Sequence, residues 1–146
     1  MGDVAGNRHL SGTFAEVFFN GLKVLGCTKI SIKTTVVRED VQTGLSVDTK
    51  IVGLKGEGTM SVTRCYSAWE EVRKELAAGR DPRGTIMTKL EDKDATGGQI
   101  ERYQIGNVAL NEFPLEYEKG ATVKSEFSFG FTPEDMVCLD EIRYPA

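Results

Sequence analysis

Residues 122–131, TVKSEFSFGF, alternate more cleanly than any other stretch of the chain: Val123, Phe127, Phe129 and Phe131 fall on one parity, Lys124, Glu126 and Ser128 on the other. Successive side chains of an extended chain leave opposite faces, so this pattern is a strand with an aromatic face to bury and a polar face for water. Pro133 ends it. Working outward, the same period recurs. Residues 28–37 set Ile30, Ile32, Thr34 and Val36 against Lys29, Ser31, Lys33 and Thr35, and residues 54–65 set Met60 and Val62 against Glu57, Thr59, Ser61 and Thr63. Gly56 and Gly58 in the second of these mark a bulge or a close backbone approach. Residues 85–90, 99–105 and 108–117, the last interrupted at Pro114, also read as extended. Residues 13–19 and 22–25 flank Asn20-Gly21, a pair that tolerates the positive φ of a type I′ hairpin turn.

One interval changes period. In SAWEEVRKELAAG, Trp69, Val72 and Leu76 recur at helical spacing, with Ser67 and Glu70 placed for a capping box, Gly79 for a C-cap, and Asp81-Pro82 unable to continue. The spacing predicts a helix over about residues 67–78. The expected fold is therefore mainly β: two packed antiparallel sheets forming a sandwich or partly open barrel, with one flanking helix. At 146 residues, with no internal repeat and no linker, the chain is expected to be one domain, 1–146. Its polar residues 1–12 read as a flexible arm. Residues 39–53 read as a long inter-strand loop, carrying Val41, Leu45, Val47, Ile51 and Val52 among Asp40, Gln42, Thr43 and Asp48. That is too much apolar surface to leave in water, so either the loop folds back on its own core as an extra hairpin or a partner covers it.

Composition excludes several functions. Apolar residues are 40%, charged residues 27% and the formal charge is −4, the profile of a globular domain rather than of a dedicated nucleic-acid binder. The single histidine, His9, sits in the polar arm, which leaves most histidine-dependent catalysis without its residue. Cys27, Cys65 and Cys138 are odd in number and form no CxxC pair, so reduced, buried thiols are expected rather than a disulfide framework or zinc site. Asp92, Asp94 and Gly97 imitate the start of a calcium loop, but its twelfth position is Tyr103 where a bidentate Glu belongs, and a solvated turn is the expectation. GLKGEG at residues 53–58 opens a strand and lacks the Lys-Ser or Lys-Thr of a phosphate loop. The pairs Glu70–Glu71 and Glu116–Glu118 have no second polar constellation beside them. No catalytic, cofactor or metal residue is assigned, and no enzyme is expected. No apolar run reaches the ~20 residues of a membrane span, and the first residues have no secretory h-region, so synthesis in a cytoplasm and no membrane partner are expected. The outward positions of the strands are rich in small hydroxyls: Ser31, Thr35, Thr59, Ser61, Thr63, Thr88, Ser125 and Ser128.

Taken in order, LSGTFAEVFFNG, DTKIVGLKGEGTMSV, the helix, AAGRDPRGTIMTKLEDKDATGGQIERYQIGNVAL and EFSFGF resemble the tail tube proteins of PBSX-like defective prophages, contractile phages and phage-tail-like bacteriocins. The likeness runs from about Leu10 to about Met136, and it is carried by Ser11-Gly12 before the hairpin, Thr49-Lys50 followed by Gly53, Gly56 and Gly58, Gly79 with Asp81-Pro82, and Glu101-Arg102 before an apolar strand. The resemblance implies a tail-tube fold, hexameric rings stacked into a hollow tube, and an inner barrel completed across subunits. It implies the protein itself, a sheath, a baseplate and a tail terminator as partners, transient passage of DNA, and a place in a virion tail or tail-like particle made in a bacterial host. On that footing Val41, Leu45, Val47, Asp48, Ile51 and Val52 would grip the next ring. Ser31, Lys33, Thr35, Thr59, Ser61 and Thr63 are the candidate lumen residues, with a non-basic lining expected because each Lys or Arg on a phosphate adds a salt-dependent hold. A competing reading is a small β-barrel binding protein whose Phe127, Phe129 and Phe131 line a cavity for an apolar ligand.

Overall fold

Asn20 (φ 51°) and Gly21 (φ 84°) both occupy the left-handed region, as the type I′ turn requires. They join β1 (Ala15–Phe19) to β2 (Leu22–Lys23), and the Asn20 side chain accepts a hydrogen bond from the Thr85 amide at 2.9 Å, tying the turn to a neighbouring strand. The computed structural model describes residues 5–64, 67 and 69–143. The remaining strands are β3 (Cys27–Thr43), β4 (Ser46–Thr63), β5 (Arg83–Leu90), β6 (Glu101–Leu110), β7 (Lys124–Phe131) and β8 (Met136–Asp140), with helices α1 (Glu70–Ala77) and α2 (Lys93–Thr96).

All pairings are antiparallel, and the strands form one open path in the order β2-β1-β5-β6-β7-β4-β3, with β8 on β6. The corner is β6. Its Arg102–Ile105 stretch pairs with β8, whereas Ala109 and Leu110 pair with β7. The sheet thus divides into two halves, β2-β1-β5-β6-β8 and β7-β4-β3, which bury one cluster between them: Val17, Ile86 and Ile105 from the first, Met60, Val62, Phe127 and Phe129 from the second. Trp69 closes one side, its ring 5.0 Å from Phe19 and 4.8 Å from Phe127, and this contact seats α1 against the core.

The aromatic parity of β7 is buried as expected, with Phe127 1% and Phe129 0% exposed. Glycine makes room for it. Phe131 and Phe129 lie opposite Gly56 and Gly58 on β4, and a Cβ at Gly58 would sit 2.5 Å from the Phe129 ring and 2.5 Å from the Ser31 carbonyl oxygen. The close approach predicted at these glycines is therefore ring over backbone.

Several expectations are corrected. Residues 39–53 are not a loop: β3 and β4 run straight through them to a two-residue turn at Gly44-Leu45, where Gly44 (φ 65°) takes the left-handed first position that such hairpins favour. Nor does this hairpin fold onto its own core. Helix α1 begins at Glu70, and its N-terminus has no side-chain cap; Glu70 instead accepts from Arg73 at 2.8 Å, which holds the Glu70 carboxyl below its usual range. Gly79 does end the helix, its amide bonded to the Leu76 carbonyl. Strand β6 stops at Leu110, before Pro114, while β8 is a strand the alternation did not predict. Ser125 and Thr88 belong to inward parities: Ser125 is buried on the parity of the β7 phenylalanines, and Thr88 lies opposite buried Val17. Asp92 is buried rather than solvated, and it caps α2 while accepting from the Ser11 amide at 3.2 Å. That bond anchors the end of the arm, of which residues 1–4 lie outside the described residues. Cys138 is exposed and Cys27 half-buried, its thiol pushed up by burial; Cys65, like Tyr66, lies outside the described residues.

Candidate functional site

The half-sheet β7-β4-β3 supplies two unusual surfaces because its strands have different lengths. Strand β7 pairs with β4 only from Gly56 to Thr63, so from Thr35 and Lys55 onward the β3–β4 hairpin has no third strand among the described residues. The rise from Thr35 to Thr43, at about 3.4 Å per residue, projects it roughly 27 Å beyond the body. Val36, Val37, Val41, Leu45, Val47, Ile51, Val52 and Leu54 are all exposed along it, Val47 by 64% and Leu45 fully.

The register shows how these are distributed. Leu54 faces Val36, Ile51 faces Arg38 and Val47 faces Gln42 on one side, while Val37 faces Gly53 and Val41 faces Asp48 on the other. The register slips between Val37 and Arg38, with Val52 as the extra residue on β4. The structure therefore brings Val41, Leu45, Val47, Asp48, Ile51 and Val52 onto one element but divides them between two faces and a tip. Val36, Val37 and Leu54 belong to the same surface and were missed. Their sequence signal misleads, since Val36 and Leu54 continue the parity of the packed stretches, and only the length of β7 reveals that no described strand covers them.

The second surface is the outer edge of β3. This strand is seventeen residues long and, among the described residues, has β4 as its only hydrogen-bonded neighbour strand. A long edge of this kind presents backbone donors and acceptors to another strand.

The candidate lumen residues do share one face. Ser31 pairs with Thr59 and Thr59 with Ser128; Lys33 pairs with Glu57, Thr35 with Lys55, Ser61 with Glu126 and Thr63 with Lys124. The face is not charge-poor: Lys33, Lys55 and Lys124 outnumber Glu57 and Glu126, and the Lys33–Glu57 ion pair at 3.4 Å joins one of each. The expected non-basic lining is not what this face offers. Small hydroxyls fill the positions between.

The phenylalanine stripe required by the ligand-carrier reading is occupied by core packing, its Phe129 fully buried against Gly58. Among the described residues no group of three metal-ligating side chains converges, and no helix is long and apolar enough to cross a membrane.

A family model described as phage tail tube protein matches residues 3–140. A comparison with curated protein sequences gives no match. Solved structures with the same fold include a chain from the tube-terminating cap of the anti-feeding prophage (TM-score 0.72, 11% identity, 96% of this chain and 97% of that one). They also include a chain from the sheath–tube complex of an extracellular contractile injection system (0.67, 8%, 91% and 93%) and one from the virion of a native gene transfer agent (0.62, 10%, 89% and 98%).

Proposed function

This chain belongs to the phage tail tube protein family, and from that premise we propose that six copies close into a ring and that rings stack into the hollow inner tube of a contractile tail or tail-like particle. The observation that carries the reading is the unfinished half-sheet: β3 has an open edge seventeen residues long, and beyond Gly56 the hairpin exposes apolar side chains on both faces. Strand pairing along that edge joins neighbours within a ring and removes the edge. The hairpin, with Val41, Leu45, Val47, Asp48, Ile51 and Val52, reaches the next ring.

The mechanism is structural. A tube sealed by backbone pairing is stiff, and a sheath moves outside it while baseplate and terminator proteins close its ends. Ser31, Lys33, Thr35, Thr59, Ser61 and Thr63 line the bore through which DNA passes. The lysine excess on that face gives passage a salt-dependent drag, since each phosphate neutralised releases a counterion. The likeness to chains from injection-system tube, cap and baseplate assemblies supports a tube-like part, and it fits a terminating ring of the same fold as well as a repeating one.

Negative-stain microscopy and sedimentation of the purified protein test the reading. Rings or tubes whose abundance rises with concentration are expected. A strict monomer at every soluble concentration, taking up a hydrophobic dye, overturns it.

A further inference from the structure

We infer that the hairpin tip seats in a groove on a second copy, at the seam where the two ends of the sheet fail to meet. The inference rests on the reading that the hairpin of one copy engages another, and it adds the landing site. The groove encloses about 760 Å³ between residues 12–17, which lead into and form β1, and residues 23–30, which run from β2 into β3. Its walls expose Phe14 and Leu25, by 52% and 51%, above buried Val17 and Val24.

The charges of groove and tip are opposite. Four lysines and two glutamates line the groove. Lys23 pairs with Glu16 at 3.8 Å and Lys89 with Glu91 at 3.7 Å, so Lys29 and Lys93 are left without an ion pair among the described residues. The tip, residues 40–48 with sequence DVQTGLSVD, holds Asp40 and Asp48, no basic residue, and the exposed Val41, Leu45 and Val47. Apolar side chains meeting an apolar floor supply affinity, and acids meeting unpaired lysines at the rim set register and exclude wrong partners.

Geometry decides which copy provides the tip. Ile30 lines the groove and the tip begins at Asp40, so the two surfaces sit at opposite ends of the same strand, separated by roughly 34 Å of extended chain. A copy does not reach its own groove. Complementary patches at opposite ends of one molecule make a heterologous contact that propagates as an open stack.

Two measurements on the full chain test this. Carbodiimide joins carboxylates directly to amines in contact, so assembled mixtures of isotope-labelled and unlabelled protein should yield mixed-isotope links from Asp40 or Asp48 to Lys29 or Lys93. Links from both aspartates only to lysines outside the groove, or none, overturn the inference. Separately, D40K/D48K and K29E/K93E should each lose sedimenting assemblies while melting like the wild type, and the variant carrying all four changes should regain them. Loss in D40K/D48K with wild-type assembly of K29E/K93E overturns the groove but leaves the hairpin's role in stacking intact. Wild-type assembly of D40K/D48K likewise overturns the charge-matched groove, while the hairpin's part in the proposed function falls only if Leu45→Asp also assembles normally.

Discussion

Strand β4 lives in two environments. From Gly56 to Thr63 it lies between β3 and β7, its inward residues buried and even its glycines roofed by aromatic rings; from Ser46 to Lys55 it has β3 alone, and every residue but Gly53 is exposed. Both stretches contain Val, Thr, Ser, Gly and one acidic residue. What differs is whether a third strand covers the ladder. One end of the same strand therefore builds the fold, and the other is the surface proposed for stacking, so substitutions along it should separate stability from assembly.

The largest expected effect lies in the packed end. Phe129→Ala should cost about 3–5 kcal/mol, because its ring is fully buried and its neighbours can relax only partly into the space. For a chain of this size that lowers the melting temperature by on the order of 10 °C, measurable by circular dichroism. A wild-type melt would mean that the aromatic parity of β7 is not the core, and the contrast between the two halves of β4 would collapse.

Glycine sharpens the contrast within one strand. Gly58→Ala places a methyl 2.5 Å from both the Phe129 ring and a backbone oxygen, so the sheet must move, at about 1–3 kcal/mol. Gly53→Ala, on the free part, meets nothing closer than the Val37 Cβ at 4.0 Å. It should leave stability within about 1 kcal/mol of wild type, on the stabilising side, because alanine narrows the unfolded ensemble. Equal denaturation midpoints for the two variants would break the distinction.

The turns differ in the same way. Asn20 in the body combines a left-handed backbone with a hydrogen bond to the Thr85 amide, and Asn20→Ala should cost about 1–2 kcal/mol in urea unfolding. The Gly44-Leu45 turn of the free hairpin is closed by the Thr43 hydroxyl donating to the Ser46 carbonyl and by the Gln42 amide donating to that of Gly44, contacts confined to the hairpin itself.

What the sequence disclosed follows the same division. Where a face is buried, alternation is enforced, and β7, the inner parts of β3 and β4, and the Asn20-Gly21 turn were all legible from residues alone. Residues 39–53 looked like a loop because no core selects one parity there: Val41 and Val47 point to opposite faces, and a bulge at Val52 breaks the period. The helix was legible from Trp69, Val72 and Leu76, but its first turn was not, since Glu70 bonds forward to Arg73 rather than back to a cap. Strand β8 was invisible because it is short and exposes Val137, Cys138 and Leu139; the cross-strand ion pair of Asp140 with Arg102 is a tertiary fact. The candidate assembly residues were found by their apolar character in a polar setting. Their exposure came from the length of a different strand, which no local pattern records.

The smallest effect on stability should come with the greatest loss of assembly. Leu45 is fully exposed at the tip of the hairpin, so Leu45→Asp removes no buried contact and should shift the unfolding free energy by no more than about 0.5 kcal/mol. In a stack the same position is covered, and a carboxylate placed there would be buried without a partner. Rings or monomers should therefore remain while tubes disappear, and Val47→Asp should behave alike. Thermal melting and sedimentation of one preparation separate the two readouts. A melt lowered as much as that of Phe129→Ala would show that the free half of β4 contributes to the fold, whereas normal tubes would show that its exposed apolar surface serves no stacking contact.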